Sequence, residues 1–372
     1  MTFHRHALGI MTGTSLDGID AALVRLDGRG LAIHVEEVTH HAAPLGDAGD
    51  LLRQLASGEP LDAAAWAQAG RELGQACLEV AKDVAGGVKP DLVSVHGQTV
   101  HHAPPCSIQW IDAAVIAHGM ACPVVHDLRG SDLAAGGQGA PITPLADWIM
   151  FRAADPRSVV NLGGFCNVTH LPDDSEGPDG IEAIEACDLC PCNHLLDLAA
   201  LKLLDAPFDE NGATACKGYC DESVAGILLE RLRNITPSGR SLGSGDEGGE
   251  LLDPLWQIPQ VETALATLTD VIARRVLEVI PGSQKQLLLG GGGAFNKALV
   301  DAFIRHADLK VLKVDSVGIG IQAREAAAMA ILGTLAMDGI PVTLPAVTEP
   351  TEPAHFDGSW CLPRDWWRNQ YT

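Results

Sequence analysis

Residues 7–26 read ALGIMTGTSLDGIDAALVRL: an apolar run, a turn of Gly, Thr, Ser and Asp, then a second apolar run. That pattern predicts a β-hairpin closed by a polar, glycine-containing loop. Around residue 155 the pattern restarts. SVVNLGGFCNVTHL, Ser158 to Leu171, is again strand, Gly-Gly turn, strand. The two hairpins share little residue by residue, but their arrangement is the same, which marks an internal repeat. Strands alternating with helical segments, in two halves each opened by a hairpin, point to an α/β protein of two related domains.

The rest of the chain fills in around these hairpins. Residues 61–85 carry apolar positions at helical spacing, and Leu92 to Val95 form a short buried strand that enters His96-Gly97-Gln98. Val124-Val125 leads into HDLRGSDLAAGGQGAPITPLAD, a glycine-rich loop followed by a helix-like segment. Residues 237–254 are polar and glycine-rich and read as a mobile loop; a helix is expected through 261–280. QLLLGGGGAFN is a buried strand running into four glycines, and residues 324–337 read as a buried helix. The tail from 341 alternates Pro with Trp and is expected to wrap the surface. The divisions fall at 1–135 with 345–372 for one domain and 136–344 for the other.

Composition narrows the function. Against 48 Asp and Glu stand 25 Lys and Arg among 372 residues, a formal charge of −23. Such a surface repels phosphate backbones and anionic lipid, which argues against nucleic acid or a membrane as partner. The apolar stretch Ala7 to Met11 is too short for a signal-peptide core, so a cytoplasmic protein is expected. Five of the ten cysteines are crowded: Cys187, Cys190, Cys192, Cys216 and Cys220. They match no standard spacing, yet they are a candidate set for zinc or an iron–sulfur cluster. Cys166 is distant from them in sequence but a possible neighbour in space.

Three glycine turns each follow a short apolar run: Gly13-Thr14-Ser15-Leu16-Asp17-Gly18, then Asn161-Leu162-Gly163-Gly164, then Gly290-Gly291-Gly292-Gly293. Glycine lets successive backbone N–H groups close on an anion, hydroxyls add donors, and Asp17 or Asp20 can orient a magnesium ion. None is a P-loop, because no Gly-Lys-Ser/Thr occurs in them. One such turn is usually only a turn; three after buried strands favour a nucleotide.

These stretches carry a resemblance. GIMTGTSLDGIDAAL resembles the first phosphate motif of the anhydro-N-acetylmuramic acid kinases, a branch of the sugar kinase/heat-shock 70/actin superfamily. VVNLGGFCNVT is similar to the second phosphate motif and LLLGGGGAFN to the adenosine motif. VSVHGQTVHHAP and the segment DLAAGGQGAPITP also resemble family signatures, and the likeness runs from about residue 8 to residue 333. It implies two actin-like (ribonuclease H-like) domains with ATP in the cleft between them. It also implies a reaction: water opens the 1,6-anhydro ring of the sugar while ATP phosphorylates O6, a step in cell-wall amino-sugar recycling.

The resemblance assigns residues as well. Asp188 matches the family's base, the Asp of Asp-Thr-Gly-Pro-x-Asn, here Asp188-Leu189-Cys190-Pro191-Cys192-Asn193. An Asp there would equally cap a helix starting near Pro191. Gly13 to Gly18, Ile19, Asp20, Asn161, Gly163, Gly164, Gly290 to Gly293 and Asn296 would face ATP, with Asp17 and Asp20 toward Mg2+. His96, Gln98, Arg129, Asp132, Gln138 and Glu325 would face the sugar, although His96 and Gln98 would also serve a buried turn. Two stretches depart from the family: Leu189-Cys190 replaces Thr-Gly, and Pro237-Ser238-Gly239-Arg240-Ser241 lacks the family's Lys, Thr and Glu. The alternatives are a kinase for a related anhydro sugar such as levoglucosan, a metal- or cluster-bearing nucleotide-binding homologue, and a binding module without ATP. A homodimer is the default assembly.

Overall fold

A computed structural model describes residues 3–13, 16, 18–235, 242, 248–352, 356–363 and 366. In chain order the first part holds β1 (His4–Thr12), β2 (Ile19–Asp27), β3 (His34–Ala43), α1 (Ala48–Ala56), α2 (Ala63–Ala85), β4 (Leu92–Val95), β5 (Gln98–Ala103), β6 (Cys106–Trp110), α3 (Ala113–Met120), β7 (Val124–His126), α4 (Gly130–Ala134) and α5 (Pro144–Phe151). The middle holds β8 (Arg157–Leu162), β9 (Phe165–Leu171), β10 (Glu185–Pro191), α6 (Asn193–Leu204), α7 (Glu222–Arg233), α8 (Val261–Leu277), β11 (Gln286–Gly290), α9 (Lys297–His306) and β12 (Lys310–Lys313). The chain then ends with α10 (Arg324–Met337), α11 (Pro345–Thr348) and β13 (Ser359–Cys361).

Two units result: residues 1–151 with 322–372, and residues 152–321. The sequence pattern placed the divisions at 135/136 and 344/345. The difference has a physical reason. α5 and α10 belong with the first sheet, because α10 is apolar on every side and packs on β1, β2 and β4.

In the first unit the sheet runs β3-β2-β1-β4-β7-β13. β3, β2 and β1 pair antiparallel, while β1, β4 and β7 pair parallel. In the second unit the sheet runs β10-β9-β8-β11-β12, again antiparallel twice and then parallel twice. The repeat read from the two hairpins therefore extends to five strands in each unit, with the same order and sense.

Burial on both faces explains why the central strands read as continuous apolar runs. On β1, Leu8 and Ile10 enter a core with Leu73, Cys77 and Val84 of α2. The alternate residue Gly9 faces α10, where a Cβ would lie 1.8 Å from the Ala326 carbonyl oxygen. Only a residue without a side chain lets the helix come that close. α2 starts where the Asp62 side chain accepts from the Ala65 N–H at 2.8 Å and stops at Gly86, whose φ is +54°.

Two expectations change. The tail does more than wrap: β13 extends the first sheet by pairing antiparallel with β7. Of the polar stretch 237–254, most lies outside the described residues, and 249–257 is a run of 3-10 turns burying Leu252, Pro254 and Leu255. Those apolar side chains supply the driving force that a mobile loop lacks.

Candidate active site

In the first unit the loop after β1 and the turn after β4 are tied together. The Thr12 hydroxyl donates to the Gly97 carbonyl at 3.0 Å, and the Gln98 amide donates to the Gly13 carbonyl at 3.2 Å. Leu16 takes a positive φ of 54° and its N–H returns to Gly13, so a tight turn forms without glycine at that position. Gly18 abuts the Ala43 carbonyl, and Ile19 is fully buried in β2. Thr14, Ser15 and Asp17 lie outside the described residues. Asp20 projects from β2, and its Oδ1 lies 2.8 Å from His40 Nε2. Its carboxylate is 40% exposed, an oxygen donor of the kind a hard divalent ion takes.

The residues expected near a sugar form a second, connected set. His96 Nδ1–H donates to the Gly97 carbonyl at 2.8 Å, which leaves Nε2 to accept from Arg129 at 3.0 and 3.3 Å. Burial and the adjacent guanidinium hold the ring neutral, with its pKa lowered to about 3. Arg129 also donates to the Gly139 carbonyl at 2.6 Å. Asp132 is fully buried: one oxygen accepts from the Gly139 N–H at 2.7 Å and the other from the Thr348 hydroxyl at 2.6 Å. The Gln138 N–H donates to the Thr348 carbonyl. Arg129 and Asp132 thus both hold the Gly137–Gly139 loop at Gly139, and α11 braces it through Thr348. Thr348 was not legible as a participant, because it lies 216 residues from Asp132. Glu325 stands in the first turn of α10 beside Arg324, whose guanidinium grips Asp147 at 3.0 and 2.5 Å with both side chains buried.

In the second unit two glycine turns converge with the segment Cys192-Asn193. The Cys192 and Asn193 N–H groups donate to the Gly164 and Gly163 carbonyls at 2.8 and 3.0 Å. The Asn193 side chain donates to the Leu162 carbonyl at 3.1 Å. Gly290 pairs with Asn161 across β11 and β8. A Cβ on Gly291, where φ is +76°, would meet the Leu162 backbone at 2.8 Å, and one on Gly164 would meet the His194 ring at 2.5 Å. These are close backbone approaches of the kind that line a phosphate cradle. Gly292 and Gly293 open the short turn that follows β11, ending at Asn296. The Asn296 side chain caps α9 by accepting from the Leu299 N–H at 3.1 Å. Asn193 ended the quoted motif without a role of its own; its ties to Gly163 and Leu162 give it one.

Asp188 lies on β10, not at a helix start: α6 begins at Asn193, and the side chain of its cap residue, Cys192, bonds to no N–H of the helix's first turn. The half-buried carboxylate accepts from the Leu242 N–H at 2.8 Å. A register shift between Asp188 and Cys190 breaks the pairing with β9 at this point, a device that re-aims a side chain. The departure at Leu189-Cys190 is absorbed by the core. Cys190 and Cys192 are fully buried against Cys166, whose thiol is pushed well up by hydrogen bonding with both and by burial.

The five crowded cysteines do not gather. Among the described residues no three of them bring their sulfurs within 4.8 Å of one another, and only Cys220 joins a candidate ligand group, with Glu222 and Asp270. Cys187 is exposed on β10 where Cys190 and Cys192 are buried, and Cys216, exposed in a separate turn, and Cys220 lie outside β10.

The same five-strand plan recurs in both units, with glycine turns at the strand ends, and defines a duplicated α/β protein. The family model for anhydro-N-acetylmuramic acid kinase matches residues 5–359. The anhydro-N-acetylmuramic acid kinase of Parasynechococcus marenigrum is 35% identical over 93% of this chain and 97% of its own length. That of Acidiphilium cryptum is 34% identical over 92% and 94%. This chain belongs to the anhydro-N-acetylmuramic acid kinase family. Among solved structures, the activator of the 2-hydroxyisocaproyl-CoA dehydratase from Clostridium difficile with bound ADPNP aligns at a TM-score of 0.47 and 14% identity, covering 88% of this chain and 94% of that one. Among the described residues no helix is long and apolar enough to cross a membrane.

Proposed function

We propose that this kinase acts on 1,6-anhydro-N-acetylmuramic acid, opening the anhydro ring with water and phosphorylating O6 from ATP. Asp188 takes the proton from water, whose oxygen attacks the anomeric carbon. The bond from that carbon to O6 breaks, and O6 captures the γ-phosphoryl group, so phosphoryl transfer stands where an inverting glycosidase has its general acid. The observation that carries this reading is Asp188 itself: a half-buried carboxylate on a broken strand, oriented by a backbone N–H and serving no helix as a cap.

The phosphates of ATP are assigned to the Gly13–Asp20 turn, to Asn161, Gly163 and Gly164, and to Gly290–Gly293 with Asn296. His96, Gln98, Arg129, Asp132, Gln138 and Glu325 are assigned to the sugar side. Gln98 Oε1 is buried with no hydrogen-bond partner, an acceptor that a sugar hydroxyl satisfies. Asp132 acts there by shaping the loop, since both of its oxygens are already engaged. Asp17 and Asp20 would hold Mg2+, and the carboxylate of Asp20 suits that hard cation. When bound, the ion neutralises charge on the transferred phosphoryl group. The reaction belongs to cell-wall amino-sugar recycling in the cytoplasm, carried out by a homodimer.

ADP release measured over a panel of sugars, with product anomers read by NMR, tests the reading. Turnover on 1,6-anhydro-N-acetylmuramic acid with inversion is expected, and a fall of about a hundredfold or more in kcat for Asp188→Asn. Equal turnover in the variant removes Asp188 as base. Preference for levoglucosan replaces the substrate while keeping the chemistry. A colourless preparation free of zinc and iron, with full activity on Mg2+ and ATP, disposes of the cysteine-bound zinc or iron–sulfur alternative.

A further inference from the structure

Buried polar atoms without a hydrogen bond are costly, and a folded chain keeps few of them. Three fall on one short hairpin, β5 and β6: Gln98 Oε1, His102 Nε2 and Gln109 Oε1. Gln98 is 0% exposed and Gln109 8%. Gln98 already has a place in the proposed site. His102 and Gln109 have none, and they are joined to each other through Ser107. Ser107 Oγ lies 2.8 Å from His102 Nδ1 and accepts from Gln109 Nε2 at 2.7 Å.

Register explains the trio. In the pairing of β5 with β6, His102 stands opposite Ser107 and Thr99 opposite Gln109, and a shift between Thr99 and His101 takes up Val100 as a bulge. Ser107 and Gln109 are two apart on β6 and share a face, which His102 joins from across the pair. Ser107 has one proton to give. It goes to His102 Nδ1 at 2.8 Å rather than to the His101 carbonyl at 3.4 Å. The ring is neutral, its pKa lowered to about 4 by burial and then by the Arg129 charge, so its own proton sits on Nε2. The result is a donor, His102 Nε2–H, and an acceptor, Gln109 Oε1, each side chain held at its other end by Ser107.

We propose that His102 and Gln109 read a secondary amide, the acetamido group at C2 of the sugar: Gln109 Oε1 accepts from its N–H, and His102 Nε2–H donates to its carbonyl. This deepens the proposed function and rests on its reading of the substrate as an anhydro amino sugar. A trans amide presents N–H and C=O on opposite edges, so it needs a donor and an acceptor set apart. Diagonal positions on a strand pair, as 102 and 109 are, lie roughly 7–8 Å apart. That is about the span of an amide with a hydrogen bond of roughly 2.9 Å at each edge. A hydroxyl in the same place reaches one of the two and leaves the other buried without a partner, so the pair discriminates. After burial, the Arg129 charge is the next cause of the downward shift at both His96 and His102, which places the trio beside residues assigned to the sugar.

The test is calorimetric titration of the full chain with 1,6-anhydro-N-acetylglucosamine and with levoglucosan, two uncharged sugars that differ only at C2. The parent should prefer the acetamido sugar by about a hundredfold or more, and Gln109→Met and His102→Phe should each lower that preference by about tenfold or more. The ratio within one variant does not depend on how much of the sample is folded, and a merely structural role would weaken both sugars alike. Equal weakening for both sugars, a preference that the variants keep, or no preference in the parent overturns the assignment. Turnover of 1,6-anhydro-N-acetylmuramic acid with ATP is read separately. A parent that turns nothing over, while the preference is present and falls in the variants, removes the proposed reaction and keeps this assignment; turnover with the preference kept in the variants does the reverse.

Discussion

Arg324 and Asp147 meet in the interior of the first unit, one 1% and the other 0% exposed. Two ions so buried gain little net energy as a pair, but each is costly without the other. Asp147→Asn should therefore cost about 3–5 kcal/mol in denaturant unfolding. The double variant Asp147→Leu with Arg324→Met should recover most of the loss; a double variant no better than the single would show that the pair contributes more than mutual neutralisation. Neither residue stood out in the sequence, where Arg324 looks like the polar start of an apolar helix. Asp188 was legible because a motif surrounds it. What was not legible was its setting: a strand in place of a helix cap, and a bond to Leu242 that is 54 residues away in the chain.

Elements were read well where periodicity acts locally. The hairpins, the strand at 92–95 and the helix at 324–337 follow from apolar spacing and turn residues. Their spacing from one another did not follow. Gly9 reads as an ordinary strand glycine, yet its missing Cβ sets how near α10 approaches β1. Gly9→Ala should destabilise by about 3 kcal/mol or more in chemical denaturation, because the obstructing atoms are the Ala326 carbonyl and the Ala330 nitrogen of the helix backbone. A variant within about 0.5 kcal/mol of the parent would mean that α10 shifts freely, contrary to its burial. The Gly137–Gly139 loop shows the same divide. Its glycines are plain in the sequence, and the brace that holds it, Thr348 on α11, is not.

Across the whole molecule, several histidines are held neutral by burial. The pKa of His96 is lowered to about 3 and that of His102 to about 4, in both cases chiefly by loss of water and then by Arg129. His126 and His170 are shifted downward by burial as well. The unfolded chain binds protons at these rings near pH 6.5, and the folded chain binds them only at lower pH. The stability these rings contribute is therefore complete above about pH 6.5 and is lost as pH falls toward 4, most at His96, which is fully buried, and less at His102, which water partly screens. Melting temperature measured from pH 8 to pH 4.5 should fall along this course, and His102→Gln should flatten it. An unchanged slope in that variant would remove His102 from the account.

The order of strands and helices, the duplication and the family were determined by the sequence itself, because apolar period, turn chemistry and contiguous motifs act over a few neighbouring residues. Tertiary structure alone decided that five crowded cysteines part company and that Thr348, near the far end of the chain, braces a loop through a buried aspartate. Each depends on which residues strand pairing and close packing bring side by side, and chain separation carries no record of that.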